Sequence, residues 1–517
     1  MINSKKILIF GLGRHGGGIA TAKWWAKKNV KLRITDLLSK KELGNSLNQL
    51  KNIKASYIFE QNRKQDIDWA DVVVVNPGVS YKNPLVKYAK KINKIVENDC
   101  SLFFKLAKCD IIAITGTKGK TTTSVWTHHI IRRFTQATLG GNQPDKALLK
   151  IISKTKKNSC AIVELSSFQL EFYPNNITAP KIALITNLYT DHLNRYDSLE
   201  EYASAKAKIF QNQTANDYLL LNYSDNWTFF FLKQKPKSKI YFFSIESLPK
   251  TANGISIKND EIYFQENGAS IKLFSIKQFR QQWGEHNVQN LLASLLASYL
   301  FVREKKLLNN SKIIKNLETS INSLPQIQFR QEIIFQNEQI KIINDSAGTI
   351  PDATIQALRR FAPQGTSRFV RGKPYTNQNK LILITGGTDK NLDFKDLAKE
   401  IKNTLSAEQV IFLNGSATQK LLKELKKIKF DYFKKNAEND TSSLAIFENL
   451  RGCIKKATKI YPVSLPASDC QRRSERAVNI IPRIVLFSPG AASFEKFKNE
   501  FDRGKKFNQF IKKNLIK

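Results

Sequence analysis

The chain lacks several features that would point its function elsewhere. Its 517 residues hold only five cysteines, Cys100, Cys109, Cys160, Cys453 and Cys470, an odd and scattered set with no CxxC pair. That argues against a disulfide framework or a zinc knuckle and suits a reducing cytosol. No apolar run reaches membrane-spanning length, so neither a span nor a membrane partner is expected. The opening Met1-Ile2-Asn3-Ser4-Lys5-Lys6 runs straight into an apolar strand, unlike a secretory leader, and the expected location is the cytoplasm. There is no internal repeat. Acidic residues are few beside basic ones, 44 against 83, for a net charge of +39. Yet no helix-turn-helix, RNA-recognition or zinc-finger pattern accompanies that charge. The lysines are spread along the chain, in pairs such as Lys27-Lys28 and Lys90-Lys91 that suit solvated helix faces. A nucleic-acid partner is not expected, whereas an anionic, phosphate-bearing substrate is.

What is present suffices for a folded protein of two to four domains: 41% apolar and 10% aromatic residues, despite a mean hydropathy of −0.36. An apolar strand, a glycine-rich turn and a helical pattern recur in three blocks, which predicts an α/β fold with mostly parallel sheets. In the first block Ile7–Phe10 precedes a glycine turn, Lys31–Thr35 ends at Asp36, and Asp71–Val75 ends at Asn76-Pro77-Gly78. In the second, Asp110–Ile114 leads into Thr115–Thr122, Cys160–Val163 ends at Glu164, and Lys181–Thr186 ends at Asn187. Ser198 and Glu201 predict a capping box, 241–276 reads as strand-rich, and 286–302 reads as helix. The third block opens near Pro325, with strands expected at Gln339–Asn344, Leu381–Thr385, Val410–Leu413 and Ile484–Phe487. Pro462–Arg476 reads as an inserted surface loop.

Two glycine turns carry chemistry. Gly11, Gly13 and Gly16 form GxGxxG between a strand and a helix, with Asp36 twenty residues beyond Gly16, a pattern that suits a nucleotide. The stronger signal is Gly116-Thr117-Lys118-Gly119-Lys120-Thr121-Thr122, again between strand and helix. Its backbone N–H groups can cradle phosphates, Lys120 can neutralise β/γ charge, and the Thr121 hydroxyl can reach Mg²⁺. Position 114 is Ile rather than the leading glycine of the standard spacing. Glu164 and His192 lie at or just past strand ends of the same block, placed for a metal or substrate. Lys206, by itself, reads as a solvated helix lysine.

Eleven segments, in order, resemble the Mur ligases of peptidoglycan synthesis. They begin with GLGRHGGG, NPGVS at Asn76–Ser80, TGTKGKTT at Thr115–Thr122, GGN at Gly140–Asn142 and VELSSFQLE at Val163–Glu171. NLYTDHLNRY at Asn187–Tyr196, YASAKAKIF at Tyr202–Phe210 and GEHNVQN at Gly284–Asn290 follow. NDSAGTIPDAT at Asn344–Thr354, GGTDKNLDF at Gly386–Phe394 and SPGAASFEKFKNEFDRG at Ser488–Gly504 complete the set.

The resemblance implies a Rossmann-like UDP-binding domain over residues 1–98, a central phosphate-loop ATPase domain over 99–322 and a Rossmann-like amino-acid-binding domain over 323–517. It implies an ATP-dependent ligase that adds D-glutamate to UDP-N-acetylmuramoyl-L-alanine through an acyl phosphate, working as a monomer with two Mg²⁺ ions. Gly13, Arg14, Asp36, Asn76, Pro77, Gly78, Asn142 and His192 would hold the UDP substrate. The phosphate loop, Asn287, Arg330 and Asp345 would hold ATP. Thr121, Glu164, His192 and a carbamylated Lys206 would hold the metals, and Lys390, Ser493 and Phe501 the D-glutamate. Lys120, His192 and Lys206 would be catalytic, with closure of the third domain over the second. The third block departs from the family pattern at Gln326–Phe329, at Ala347 and at Glu500, where the pocket phenylalanine falls one place later, at Phe501. Alternatives are another Mur-type ligase with a different amino acid, though the Asp-Asn-Pro-Arg motif of the meso-diaminopimelate-adding enzyme is missing, and a folylpolyglutamate-synthase relative, a group that lacks the first domain. From other classes, an NAD-dependent oxidoreductase leaves the phosphate loop idle, and a basic nucleic-acid-binding ATPase lacks a second-strand Asp box.

Overall fold

Ile7–Phe10, Val72–Val75 and Ile111–Ile114 are apolar runs buried on both faces, the composition that parallel sheets covered by helices require. A computed structural model describes residues 5–14, 16–142, 146–175, 177–362, 369–370, 373–374, 381–430, 445–460 and 482–515. The loop expected at Pro462–Arg476 lies outside the described residues. The chain divides into two compact units, Met1–Pro325 and Gln326–Lys517.

The first unit holds two sheets. β1 (Lys6–Phe10), β2 (Lys31–Thr35), β3 (Ser56–Ile58), β4 (Val72–Val75) and β5 (Ile95–Glu97) form an all-parallel sheet in the order β3-β2-β1-β4-β5. Gly16, at φ 88°, turns the chain from β1 into the helix Gly17–Ala26, a conformation that glycine adopts without penalty. The second sheet comprises β6 (Asp110–Thr115), β7 (Ala137–Gly141), β8 (Cys160–Glu164), β9 (Ile182–Ile185), β10 (Tyr218–Asn222), β11 (Lys239–Phe243), β12 (Gly254–Lys258), β13 (Glu261–Glu266) and β14 (Ala269–Ser275). Its order is β14-β13-β12-β11-β10-β9-β6-β8-β7. It is parallel from β7 to β12, and β13 and β14 extend it antiparallel. Asn259-Asp260 and Asn267-Gly268, all with positive φ, turn those two hairpins, the sign that matches the twist of paired strands.

The helix Val288–Glu304 is buried along nearly its whole surface and lies against the phosphate-loop helix Lys120–Ile131, where Ser294 Oγ donates to Thr123 O at 3.2 Å. Near the end of the unit Trp126 Nε1 donates to Pro325 O at 3.1 Å, and its ring meets Phe279 and Trp283 edge-on. The capping box expected at Ser198 is half formed. Ser198 Oγ accepts from Glu201 N at 3.2 Å, but the Glu201 carboxylate accepts from Asp197 N, Tyr81 Oη and Lys82 Nζ instead of the cap's own N–H. Tyr81 and Lys82, distant in the chain, together with the neighbouring Asp197 N–H, occupy the carboxylate in place of the cap N–H.

In the second unit β15 (Glu332–Gln336), β16 (Ile340–Asn344), β19 (Leu381–Thr385), β20 (Val410–Leu413), β21 (Ile446–Phe447) and β22 (Arg483–Phe487) form a sheet in the order β15-β16-β22-β19-β20-β21. β15 is antiparallel and the others parallel. The short β17 (Phe369–Val370) and β18 (Lys373–Pro374) pair with each other. Among the described residues no helix is long and apolar enough to cross a membrane.

Candidate functional site

β6 lies between β8 and β9, so the strand order reverses there, and the crevice outside the carboxyl ends of those strands is where such sheets bind ligands. The loop Gly116–Gly119 leaves β6 at that point, and the helix Lys120–Ile131 begins immediately after it, the kind of helix start that favours phosphate anions. Gly116 (φ 143°) and Gly119 (φ 80°) adopt conformations open to glycine, and a β-carbon on Gly116 would overlap Thr186 Oγ1. The end of β9 braces this loop. Asn187 O accepts from Thr117 N at 3.0 Å, Asn187 Oδ1 accepts from Lys118 N at 2.8 Å, and Thr186 Oγ1 donates to Lys118 O at 2.6 Å. Asn187 thus shapes the loop, a role that its position as a strand end only hinted at. Lys120 Nζ donates to Gly116 O at 3.0 Å and to Thr117 O at 2.9 Å.

Lys206 is 1% exposed. Its ammonium donates to Gly116 O at 2.9 Å and sits 4.3 Å from the centre of the Tyr202 ring. Burial, reinforced by the Lys120 charge and only partly opposed by Asp191, pushes the Lys206 amine well below its usual range. His192 holds a left-handed backbone (φ 58°), with its ring against Phe168 at 4.8 Å and Tyr202 at 5.8 Å. Burial pushes its imidazole down to about 4; Asp191 opposes this, and Lys206, Lys120 and Lys118 add to it. Asp191 also pairs with Lys118 at 3.4 Å. Glu164 ends β8 beside Ile114 of β6 and Gly141 of β7, 2% exposed, and its carbonyl accepts from Asn142 N at 2.9 Å. Phosphate loop, Glu164, His192 and Lys206 therefore gather at one sheet edge. Among the described residues no group of three or more His, Cys, Asp or Glu side chains stands close enough to hold a metal unaided.

Asn287 is joined through Asn290 to the helix that follows the loop. It donates to Trp283 O at 2.9 Å and accepts from Asn290 Nδ2 at 3.1 Å, while Asn290 Oδ1 accepts from Thr123 Oγ1 at 3.3 Å. Asn290 escaped the sequence reading although GEHNVQN contains it.

Around the first sheet's glycine turn, Asp36 Oδ2 accepts from Gly13 N at 2.8 Å and Oδ1 from Leu38 N at 2.8 Å. Asn76 Nδ2 donates to Leu12 O at 3.3 Å, and its Oδ1 accepts from Gly78 N at 2.9 Å. Asp36 and Asn76 thus shape the two turns that Gly13, Pro77 and Gly78 belong to. Arg14 projects outward and pairs with Glu42 at 2.6 Å.

In the second unit Asp345 is buried at the end of β16, where Oδ2 accepts from Ser488 Oγ at 2.7 Å and Oδ1 from Gln331 N at 3.1 Å. Burial pushes its carboxyl up to about 7, and Arg330 and Arg360 pull the other way. The Arg330 turn, flanked by Phe329 (φ 61°) and Gln331 (φ 49°), is thereby held beside Asp345. Ser493 lines a cleft with Gly387, Thr388, Asn414 and Arg503, its hydroxyl buried and unpaired among the described residues. Lys390 is exposed on the turn after Gly387, and Phe501 packs against Phe329, outside that cleft. Arg503, missed in the sequence, is fully buried: it donates to Ser346 Oγ at 3.1 Å, Ser346 O at 2.8 Å, Ala492 O at 2.9 Å and Ala491 O at 3.0 Å.

The family profile described as "Mur ligase middle domain" matches residues 114–298, and "Mur ligase MurD-like, N-terminal domain" matches residues 5–97. The chain is 33% identical over 514 residues to the UDP-N-acetylmuramoylalanine--D-glutamate ligase of Borreliella afzelii (strain PKo), covering 99% of this chain and 98% of that protein. To the ligase of the same name from Roseiflexus sp. (strain RS-1) it is 29% identical, with 98% of each chain covered. The crystal structure of UDP-N-acetylmuramate-alanine ligase from Thermotoga maritima shares the fold, with a TM-score of 0.54 at 19% identity over 98% of this chain and 99% of that one. Identity of one residue in three, sustained across nearly the whole length of both chains, places this protein in the Mur ligase family.

Proposed function

We propose that the chain joins D-glutamate to UDP-N-acetylmuramoyl-L-alanine, converting ATP to ADP and phosphate, as a cytoplasmic monomer acting on small-molecule substrates. The observation that carries this reading is full-length similarity to proteins named for that reaction. We assign the UDP substrate to residues 1–98, ATP to 99–322 and the amino acid to 323–517.

The chemistry is two displacements. A carboxylate oxygen of the L-alanyl end attacks the γ-phosphorus, the bond to the β-phosphate oxygen breaks, and ADP leaves. The amine of D-glutamate then attacks the acyl-phosphate carbonyl, the C–O bond to phosphate breaks, and the amine gives up a proton. Phosphoryl transfer asks a protein for positioning and positive charge more than for covalent help. Gly116 to Thr122 would wrap the phosphates with backbone N–H groups, and Lys120 would turn from the loop carbonyls to the β/γ oxygens. Asn287 would hold the adenine, with Arg330 and Asp345 also assigned to ATP. Gly13, Arg14, Asp36, Asn76, Pro77, Gly78 and Asn142 would bind the UDP substrate, with His192 at its reacting end. Lys390 and the unpaired Ser493 hydroxyl would receive the D-glutamate carboxylates, and Phe501 would border them.

The donors fit magnesium. Thr121 and Glu164 offer hard oxygen, and a neutral His192 offers a ring nitrogen; such ions are commonly held by one or two carboxylates plus substrate phosphates. Lys206 joins that set only as a carbamate, and burial, which pushes its amine well below the usual range, favours the uncharged form that adds CO₂. Two Mg²⁺ ions, one at Thr121 and Glu164 and one at His192 and carbamylated Lys206, would supply positive charge to the γ-oxygens and the attacking carboxylate.

The test is phosphate release from ATP and Mg²⁺ with UDP-N-acetylmuramoyl-L-alanine, offering amino acids singly. Release with D-glutamate alone is expected. Release with a different amino acid alone would keep the ligase and reject D-glutamate as its amino acid; no release with any amino acid would reject the substrate.

A further inference from the structure

The side chains of Arg195 and Glu171 connect segments that the proposed reaction must hold in register. Arg195 Nε and Nη2 donate to the two Glu171 carboxylate oxygens at 2.7 and 2.6 Å, in the bidentate form that only arginine provides. The same guanidinium reaches back to the turn after β4, with Nη1 donating to Gly78 O at 3.1 Å and Nη2 to Val79 O at 3.0 Å. Its plane lies 4.0 Å from the centre of the Phe168 ring, and that ring also meets His192 at 4.8 Å. Arg195 N closes a turn on His192 O at 2.9 Å. Glu171 binds further segments: its carboxylate accepts from Tyr196 Oη at 2.7 Å and Tyr81 N at 3.2 Å, and its carbonyl accepts from Lys208 Nζ at 2.7 Å, two residues beyond Lys206.

We propose that Arg195 and Glu171 are positioning residues that fix the Asn76–Gly78 turn at a set distance from His192 and Lys206, so that a nucleotide seated on the turn presents its carboxylate to the phosphate loop. This rests on the function proposed above. A buried ion pair of this kind adds little to stability over a well-packed apolar pair, so bulk stability does not account for it. Four of the five guanidinium N–H groups are spent on a carboxylate and two turn carbonyls together, a span that a lysine ammonium does not cover.

The experiment compares wild type with Arg195→Lys, Arg195→Met and Glu171→Gln. Arg303→Met serves as control, since Arg303 makes an equally bidentate pair with Glu266 at the far end of the helix Val288–Glu304. Calorimetry gives the affinity for UDP-N-acetylmuramoyl-L-alanine without ATP, kinetics give kcat and KM for ATP, and melting gives Tm. Weakening of nucleotide-substrate binding on the order of 10- to 100-fold is expected in the Arg195 and Glu171 variants, including Arg195→Lys, with KM for ATP within about twofold of wild type. Arg303→Met should lower Tm and leave both affinities alone. Arg195 variants that melt early yet bind the nucleotide as wild type does, or that lose nucleotide and ATP affinity equally, overturn the positioning role. Wild type that binds no UDP-N-acetylmuramoyl-L-alanine overturns the functional reading and this role with it.

Discussion

Lys120 and Lys206 donate to one and the same acceptor, the carbonyl oxygen of Gly116, at 3.0 and 2.9 Å. Two ammonium groups around one oxygen repel each other, and the one cut off from water gives up its charge more readily. Lys206 is the buried partner, so of the two it is the lysine whose amine gives up its proton more readily, as the carbamate proposed above requires.

Protein supplied with isotopically labelled bicarbonate should therefore show a carbamate carbon resonance that Lys206→Gln lacks, and that variant should turn over at least about 10²-fold more slowly. A fully active wild-type sample with no such resonance would reject the modification.

Gly116→Ala should abolish ATP binding and lower Tm. At φ 143° an L side chain carries strain of about 1–3 kcal/mol, and its β-carbon would collide with Thr186 Oγ1, the hydroxyl that braces Lys118 O. Gly44→Ala, where a β-carbon meets nothing within 4 Å, should leave ATP titrations and melting unchanged. Equal behaviour of the two variants would count against the loop geometry.

Arg503→Met should destabilise the protein by about 3 kcal/mol or more, because it strands buried acceptors on Ser346, Ala491 and Ala492. The loop that carries Ser493 loses its anchor, so KM for D-glutamate should rise more than KM for ATP. Urea unfolding and the two KM values test this; a rise in both by the same factor would mean general loosening.

Asp99 is buried, with Gln169 Nε2 donating to it at 2.9 Å, and burial pushes its carboxyl up to about 6. Between the unfolded value near 3.8 and that folded value, the folded chain keeps a proton that the unfolded chain releases. Its contribution is thus whole below the unfolded value and is lost as pH rises through about 6. Wild type should lose about 1 kcal/mol or more relative to Asp99→Asn between pH 5 and pH 8 in urea titrations. A constant difference would place the carboxyl outside that window.

The sequence revealed what is local. Buried runs such as Ile111–Ile114 and Val72–Val75 announce their strands, and the glycines after β1 and β6 announce where the chain must turn sharply. It also showed that Glu164 ends one strand and that His192 follows another of the same sheet, because parallel strands share a direction. Partnerships across long stretches of chain stayed hidden. Nothing near Lys206 indicates that Gly116 waits ninety residues away, and Arg195 and Arg503 look like surface arginines until their carbonyl partners are known. Glu201 shows the converse, a local capping motif read correctly in Ser198 and overruled in its second half by Tyr81 and Lys82. By itself Lys206 has the look of a solvated helix lysine, and its burial against Gly116 appears only in the fold.

Trp126, joined to Pro325 at the close of the first unit, is one of six tryptophans, the others being Trp24, Trp25, Trp69, Trp227 and Trp283. All six precede Gln326, where the second unit begins. Indole fluorescence is consequently blind to the second unit, while circular dichroism sums over both. One unlabelled sample, followed by the two signals side by side, separates the unfolding of the first unit from that of the second, and every substitution proposed above can be assigned to its own unit in the same cuvette.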